Sequence, residues 1–183
     1  FATFQYIYNR RLKDADWFLK ADDDTYVVME NLRYLLSSHS ANKPVYFGQI
    51  FTKYVKSGYP SGGAGYVISK EALRRYGERD DRIEACKAQV GDSEDVQMGE
   101  CMEYLGVKLE DSRDKYNKTR FHCLPIADYL TGHFPPWLHD YSKWKIFKVL
   151  YDIMYYTLSI SQLFLLYNRG LMLSVTTPSA SIT

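Results

Sequence analysis

Three consecutive carboxylates, Asp22, Asp23 and Asp24, follow directly on the apolar run Trp17-Phe18-Leu19 and a short Lys-Ala step. Three negative charges at one point repel one another, so the cluster must meet a cation or stand fully in water. Aspartate oxygens are hard donors suited to Mg²⁺ or Mn²⁺, and such sites commonly complete their shell with substrate phosphates. Asp22 and Asp24, two residues apart, can share one cation, one binding it directly and the other through water or substrate. A solvated acidic turn is the competing reading of the same residues. Two other loops fail on spacing. An EF-hand begun at Asp22 needs glycine at its sixth position, where Val27 stands. A D-x-D-x-T nucleophile loop needs threonine where Tyr26 stands.

A second acidic segment is "GDSEDVQMGEC", residues 91–101. Glu94 and Asp95 fall at an expected helix start, where the helix dipole favours negative charge. A carboxylate held ionised there can serve as a general base on a sugar hydroxyl. Ordinary N-terminal helix charge explains the pair equally well at this point. Between the two acidic segments lies "SGGAGY", residues 61–66, which lacks the G-x-G-x-x-G and Walker spacings. Gly62 and Gly63 permit either close backbone approach to a ligand or simply a tight turn. His122, His133 and His139 are not at helical ligand spacing and read as structural or exposed. Cys86, Cys101 and Cys123 lack CxxC spacing, which argues against zinc.

These residues need a scaffold, and the hydrophobic pattern supplies one. A first helix with Phe4, Tyr8 and Leu12 on one face ends near Leu12, and residues 17–21 form a buried strand. A helix at 30–37 carries Leu32, Leu35 and Leu36. A strand at 45–51 is broken by Gly48, 60–63 is a turn, and 64–68 is a strand. Ser69 is the expected N-cap and Gly77 the expected C-cap of the next helix. Residues 79–91 read as a loop or irregular helix. Ser93 caps a helix through Val96, Met98 and Met102 that stops near Gly106, and a strand follows at 107–109. Strands alternating with helices imply an α/β layer architecture. In open sheets of this class ligands sit at the carboxyl ends of strands, which is where the aspartates fall.

Composition narrows the classes further. The chain has 183 residues and a formal net charge of +1, which argues against a nucleic-acid partner. Tyrosine is abundant, with 17 copies, suiting either a tight aromatic core or a sugar-binding face. Asn117-Lys118-Thr119 is an N-glycosylation sequon, usable only in the secretory pathway. The chain enters a helix at its first residue, which reads as a fragment with its upstream part absent. After about Tyr141 its character changes. Residues 153–168 are uncharged yet shorter than the ~20 residues that span a bilayer, so they read as an amphipathic segment. The final "SVTTPSASIT" reads as disordered.

Taken together, "DWFLKADDDTYVVMENLRYLL", "SGGAGYVISKEALRRYG", "EDVQMGECMEYLGV" and "DSRDKYNKTRFH" resemble the core 1 β1,3-galactosyltransferases, a group related to the Fringe-type transferases. The resemblance covers about residues 1–144. It implies the C-terminal part of a GT-A, Rossmann-like domain, with 145–183 as a divergent apolar tail rather than a separate domain. It implies a type II membrane protein of the Golgi with a lumenal catalytic domain, the membrane anchor lying outside this stretch of chain. The implied reaction is inverting transfer of galactose from UDP-galactose to O3 of GalNAc on Ser or Thr of glycoproteins, with Mn²⁺. On this resemblance Asp24 is the direct metal ligand, with Asp22 and Asp23 on the nucleotide-sugar or the metal's waters. Asp95 is the base, and Gly62, Gly63, Glu94 and Trp137 are substrate contacts. A Cys86–Cys101 disulfide, glycosylation at Asn117, an ER folding chaperone and a homodimer are further implications. Beyond Trp144 the chain departs from the family's Cys-Cys-Ser-Asp and Phe-His-Tyr segments, and so from the histidine that also ligates the metal. That departure implies weak metal binding or an inactive, truncated isoform. A Fringe-like enzyme with another donor or acceptor and a silent, chaperone-like relative are the alternatives.

Overall fold

A computed structural model describes residues 2–87 and 93–147 and the strand at 173–175. In chain order the elements are α1 (Ala2–Arg11), β1 (Trp17–Lys20), α2 (Met29–Ser37), β2 (Val45–Gly48), β3 (Ile50–Phe51), β4 (Tyr59–Pro60) and β5 (Tyr66–Ser69). Then come α3 (Lys70–Gly77), a 3-10 turn at Glu84–Cys86, α4 (Glu94–Tyr104), β6 (Lys108–Leu109), α5 (Ile126–Thr131), α6 (Pro136–Tyr141) and β7 (Leu173–Val175). Five strands form one sheet in the order β6-β2-β5-β1-β7, with β3 and β4 a separate ribbon. Among the described residues, only the β2–β6 pairing of the large sheet is parallel. The mixed α/β architecture is the one expected.

The central strands read as continuous apolar runs because both sheet faces are covered. Successive side chains of a strand point to opposite faces. Phe18, Tyr46, Tyr66 and Ile68 accordingly share one core with Phe4 and Ile7 of α1, Leu73 and Tyr76 of α3, and Met98 and Met102 of α4. Trp17, Leu19, Phe47 and Val67 face the other way, onto Leu32, Leu35 and Leu36 of α2. A third cluster, with Phe51, Val55, Tyr59, Tyr129 and Leu138, ties the ribbon to α5 and α6.

Several expectations hold at their chemistry and shift at their edges. Ser69 caps α3, accepting from the Ala72 N–H at 3.1 Å while donating to the Lys43 carbonyl at 2.7 Å. Ile7, rather than Tyr8 or Leu12, joins Phe4 at the centre of the α1 contact; the other two are partly buried at its margin. Gly77 is not the C-cap. It lies in the last turn of α3, with Glu78 as cap, and a side chain on it would enter the Tyr8 ring of α1. Its small size serves helix approach. The strand expected over 45–51 divides at Gln49, and a Cβ on Gly48 would stand 2.5 Å from the Pro60 Cβ, so glycine there lets the ribbon approach. Pro60 therefore belongs to the ribbon rather than to a turn. Ser93 stands at the N-cap of α4 but makes no capping side-chain bond, and α4 ends at Tyr104. The short helices α5 and α6 were not expected.

Residues 174 and 175, within the stretch read as disordered, pair with β1 as part of β7. An otherwise open β1 edge gains backbone partners there, which is reason enough for a short Ser-Val segment to be extended. The remainder of that stretch and the amphipathic segment at 153–168 lie outside the described residues, as does 88–92. Among the described residues no helix is long and apolar enough to cross a membrane.

One ion-pair cluster sets a pH dependence for the α3 layer. The Glu71 carboxylate accepts from Arg74 at 2.7 and 2.8 Å and from Arg75 at 3.0 Å. The Arg74 hydrogen bonds, against the opposing effect of burial, hold its pKa down at about 2. A lowered carboxylate pKa stabilises the fold fully above the ordinary glutamate range, and that stabilisation is lost as pH falls through the folded value. Glu71→Gln is expected to lower stability at pH 7 by about 1 kcal/mol. The deficit should shrink between about pH 4.5 and about pH 2. Urea melts across that interval check it; a deficit that stays constant with pH refutes the assignment.

Candidate active site

Antiparallel pairing of β1 with β5 sets Lys20 opposite Tyr66. The chain leaving β1 and the chain entering β5 therefore meet at one end of the sheet. Asp22, Asp23 and Asp24 leave β1 there in a turn that Thr25 closes: its Oγ1 accepts from the Asp22 N–H at 3.0 Å, and its N–H donates to the Asp22 carbonyl at 3.2 Å. All three aspartates are exposed. Opposite them runs the glycine segment. Gly65 has φ +68°, and a Cβ on it would stand 2.9 Å from the Lys20 carbonyl, so glycine alone allows this close approach.

The start of α4 comes to the same place. The Gly62 N–H donates to Asp95 Oδ2 at 2.9 Å, while Asp95 Oδ1 accepts from the Val96 N–H at 2.9 Å. The Tyr66 hydroxyl donates to Glu94 Oε1 at 2.6 Å. Burial, and after it the Glu94 charge, pushes the Tyr66 phenol well above its ordinary range, so it remains a donor. Lys20 stands between the two acidic segments. Its Nζ donates to Asp22 Oδ1 at 2.5 Å and to the Gly62 carbonyl at 3.3 Å, and lies 3.9 Å from Glu94 Oε2.

Of the residues singled out in the sequence, Asp22, Gly62, Glu94 and Asp95 are thus joined in one network, with Asp23 and Asp24 exposed on its rim. Gly63 faces elsewhere, the nearest atom to a Cβ there being the Cys123 carbonyl oxygen at 3.6 Å. Trp137 sits on α6 in the aromatic cluster, 6.3 Å from Phe51 and 5.6 Å from Tyr141 by ring centroids. That cluster reaches the site through Tyr59. Its phenol is raised by burial and then by the Asp95 charge. Cys86 and Cys101 are disulfide-bonded, with Cα atoms 4.5 Å apart, tying the 3-10 turn to α4. Cys123 is a free thiol whose pKa burial raises. Asn117 is exposed in a turn at φ +62°, where an attached glycan would meet solvent.

Lys20 and Tyr66 were missed by sequence reasoning. The signal for Lys20 was present, since a cationic side chain ending an apolar strand two residues before a carboxylate needs a partner. Tyr66 carried no such signal, because its role depends on the β1–β5 register.

Manganese must be tested against these donors. Among the described residues no group of three or more His, Cys, Asp or Glu is gathered to hold a metal. Two exposed carboxylates on one turn nonetheless fit a hard divalent cation of the kind bound through one or two carboxylates, with phosphates and water completing the shell. The donor chemistry fits on those terms, with Asp24 and Asp22 as the residues that would hold it.

Comparison with known proteins follows the same outline. The Fringe-like family model matches residues 2–122, a stretch that includes both acidic segments. The glycoprotein-N-acetylgalactosamine 3-beta-galactosyltransferase 1 of Xenopus laevis is 48% identical over 132 residues, which is 72% of this chain and 36% of that protein. A mouse beta-1,3-glucosyltransferase is 30% identical over 150 residues, 80% of this chain and 29% of its own length. Human chondroitin sulfate synthase 3 is 29% identical over 117 residues, 58% of this chain and 13% of its own. The chain spans about a third or less of the length of these curated relatives. With one family model covering most of its length, and relatives named as β1,3-glycosyltransferases across the same region, the chain belongs to the Fringe-like family.

Proposed function

We propose that the protein carrying this chain is an inverting β1,3-galactosyltransferase that moves galactose from UDP-galactose to O3 of GalNAc linked to Ser or Thr of glycoproteins. The observation that supports this reading most is the Gly62–Asp95 hydrogen bond, which holds a carboxylate beside the strand-end aspartates. Inversion needs a base on the acceptor side and neutralisation of charge on the leaving side, and the two acidic segments divide along that line. Asp95 Oδ2 accepts from Gly62 and Oδ1 from Val96, which fixes the carboxylate in place. Asp95 takes the O3 proton as that oxygen bonds to galactose C1 and the bond from C1 to the phosphate oxygen breaks, releasing UDP. Mn²⁺, when bound at Asp24 and Asp22, neutralises the charge that develops on the diphosphate. Asp23 is left to the nucleotide-sugar or to bound water. Trp137, with Tyr54 and Tyr141, offers aromatic faces for the acceptor sugar or its peptide. A lumenal Golgi setting, an ER folding chaperone and a homodimer belong to the same reading; the disulfide and the exposed sequon suit the setting.

The test is transfer from UDP-galactose to a GalNAc-peptide by the purified protein across a Mn²⁺ titration. The wild type should be Mn²⁺-dependent, and Asp24→Ala should lose about 100-fold or more in kcat/KM. The 30% identity to a mouse beta-1,3-glucosyltransferase favours one second reading, a different donor sugar on the same machinery. A panel of UDP-sugars and acceptors separates the two. Absence of transfer from every donor would leave the silent relative as the correct reading.

A further inference from the structure

We propose that Lys20 is a built-in counter-cation that competes with the divalent metal at Asp22 while clamping the second acidic segment in place for turnover. The inference rests on the metal-dependent reading above and assigns a role to a residue that reading leaves unused. Lys20 is the last residue of β1, and its side chain is only 22% exposed. Its ammonium has one short partner and two longer ones: Asp22 Oδ1 at 2.5 Å, the Gly62 carbonyl at 3.3 Å and Glu94 Oε2 at 3.9 Å. The Tyr66 ring lies beneath it, 6.0 Å from Nζ to the centroid. Apart from Asp22, these partners are tied in turn to the base side. Gly62 holds Asp95 through its N–H, and Tyr66 holds Glu94 through its hydroxyl. One cation therefore touches the metal-binding turn with one contact and the base-positioning network with the others.

These two halves pull in opposite directions. A neutral neighbour that orients a ligating carboxylate strengthens metal binding. An ammonium in contact with that carboxylate does the reverse, because it repels the incoming ion and must be displaced from the oxygen it occupies. On the other side the same charge holds the Gly62 carbonyl and the Glu94 carboxylate, and so fixes the backbone that presents Asp95. Removing the charge should tighten the metal and slow the reaction. A residue with only a structural role would weaken both.

The experiment uses the purified protein and two readouts. Mn²⁺ alone is titrated without nucleotide and followed by the electron paramagnetic resonance signal of the free ion; turnover is measured with saturating UDP-galactose and GalNAc-peptide. Lys20→Met is expected to bind Mn²⁺ about three- to tenfold more tightly and to turn over about tenfold more slowly. Lys20→Arg keeps the charge and should stay within about threefold of wild type in both. If Lys20→Met does not melt cooperatively, Lys20→Gln replaces it with the same expectation. Weaker or unchanged Mn²⁺ binding overturns the proposal, as does an unaltered kcat, or an arginine variant that behaves like the methionine one. No saturable binding in either wild type or variant also overturns it. Failure of wild type to transfer galactose sinks the proposed function instead, and the nucleotide-free titration still decides the role of Lys20.

Discussion

Asp95→Asn is expected to reduce kcat for galactosyl transfer by about 1,000-fold, within the ~10²–10⁴-fold range that a positioned base contributes. The substitution isolates proton acceptance from architecture. An asparagine side chain of the same shape keeps one oxygen to accept the Gly62 N–H, which the native carboxylate accepts at 2.9 Å, and gives up only the local bond from the neighbouring Val96 N–H. Folding and donor binding should therefore be preserved, and the loss should fall on kcat with the KM for UDP-galactose within about threefold of wild type. Glu94 is the only other carboxylate of the pair and is already engaged by the Tyr66 hydroxyl. Glu94→Gln should thus cost less, about tenfold, through loosened positioning rather than loss of the base. Steady-state kinetics on the two variants, with thermal melts as controls, tests the division. An Asp95→Asn enzyme retaining a tenth or more of wild-type kcat would remove Asp95 from the role of base.

Loss of the Cys86–Cys101 bond should produce the largest change in stability. The bond closes a loop of 15 residues, for which chain-entropy reasoning gives about 3 kcal/mol. Cys101 is fully buried in α4 beside Met98 and Met102, so its replacement by serine also places a hydroxyl in an apolar core. Cys101→Ala avoids that added cost and is the cleaner variant. Its Tm should fall by about 10 °C, from ~2–4 °C per kcal/mol in a chain of this size. Reduction of the wild type by dithiothreitol should reproduce the shift, whereas reduction of the variant should add nothing. The functional consequence follows from where α4 begins. Its first two residues are Glu94 and Asp95, so a helix freed at Cys101 presents the base less rigidly. If the reduced protein melts within about 2 °C of the oxidised one, the bond does not anchor the helix.

Legibility in the sequence followed burial. Trp17-Phe18-Leu19, Val45-Tyr46-Phe47 and Tyr66-Val67-Ile68 read as strands because both their faces are covered, leaving runs that no solvent-facing residue interrupts. Ser69 read as a cap because its hydroxyl meets the Ala72 N–H, a contact three residues away in the chain. Contacts of long sequence separation were not legible. Nothing local distinguishes Gly77 as a seat for the Tyr8 ring from Gly77 as a helix stop. The six-residue helices α5 and α6 are too short to display a periodicity, although Pro125 and Pro135 mark their starts. The two acidic segments were each visible as clusters; their juxtaposition was not, because it depends on Gly62 and Tyr66 arriving from a third part of the chain. Lys20 was overlooked for the same reason, two of its three polar partners being 42 or more residues away.

The pairing of β1 with β5 bears on how this protein tolerates change in length. Trp17 faces Ser69 and Lys20 faces Tyr66 in a register without bulges. A single inserted residue in either strand would turn every following side chain to the opposite face of the sheet. Lys20 would leave Gly62 and Glu94, or Tyr66 would leave Glu94, even though each residue remained in the sequence. The stretch between β3 and β4 is constrained differently, by the burial of Val55 and the Ser57 N–H bond to Glu103 rather than by strand register. An indel in either of two four-residue strands therefore erases the site with its residues intact.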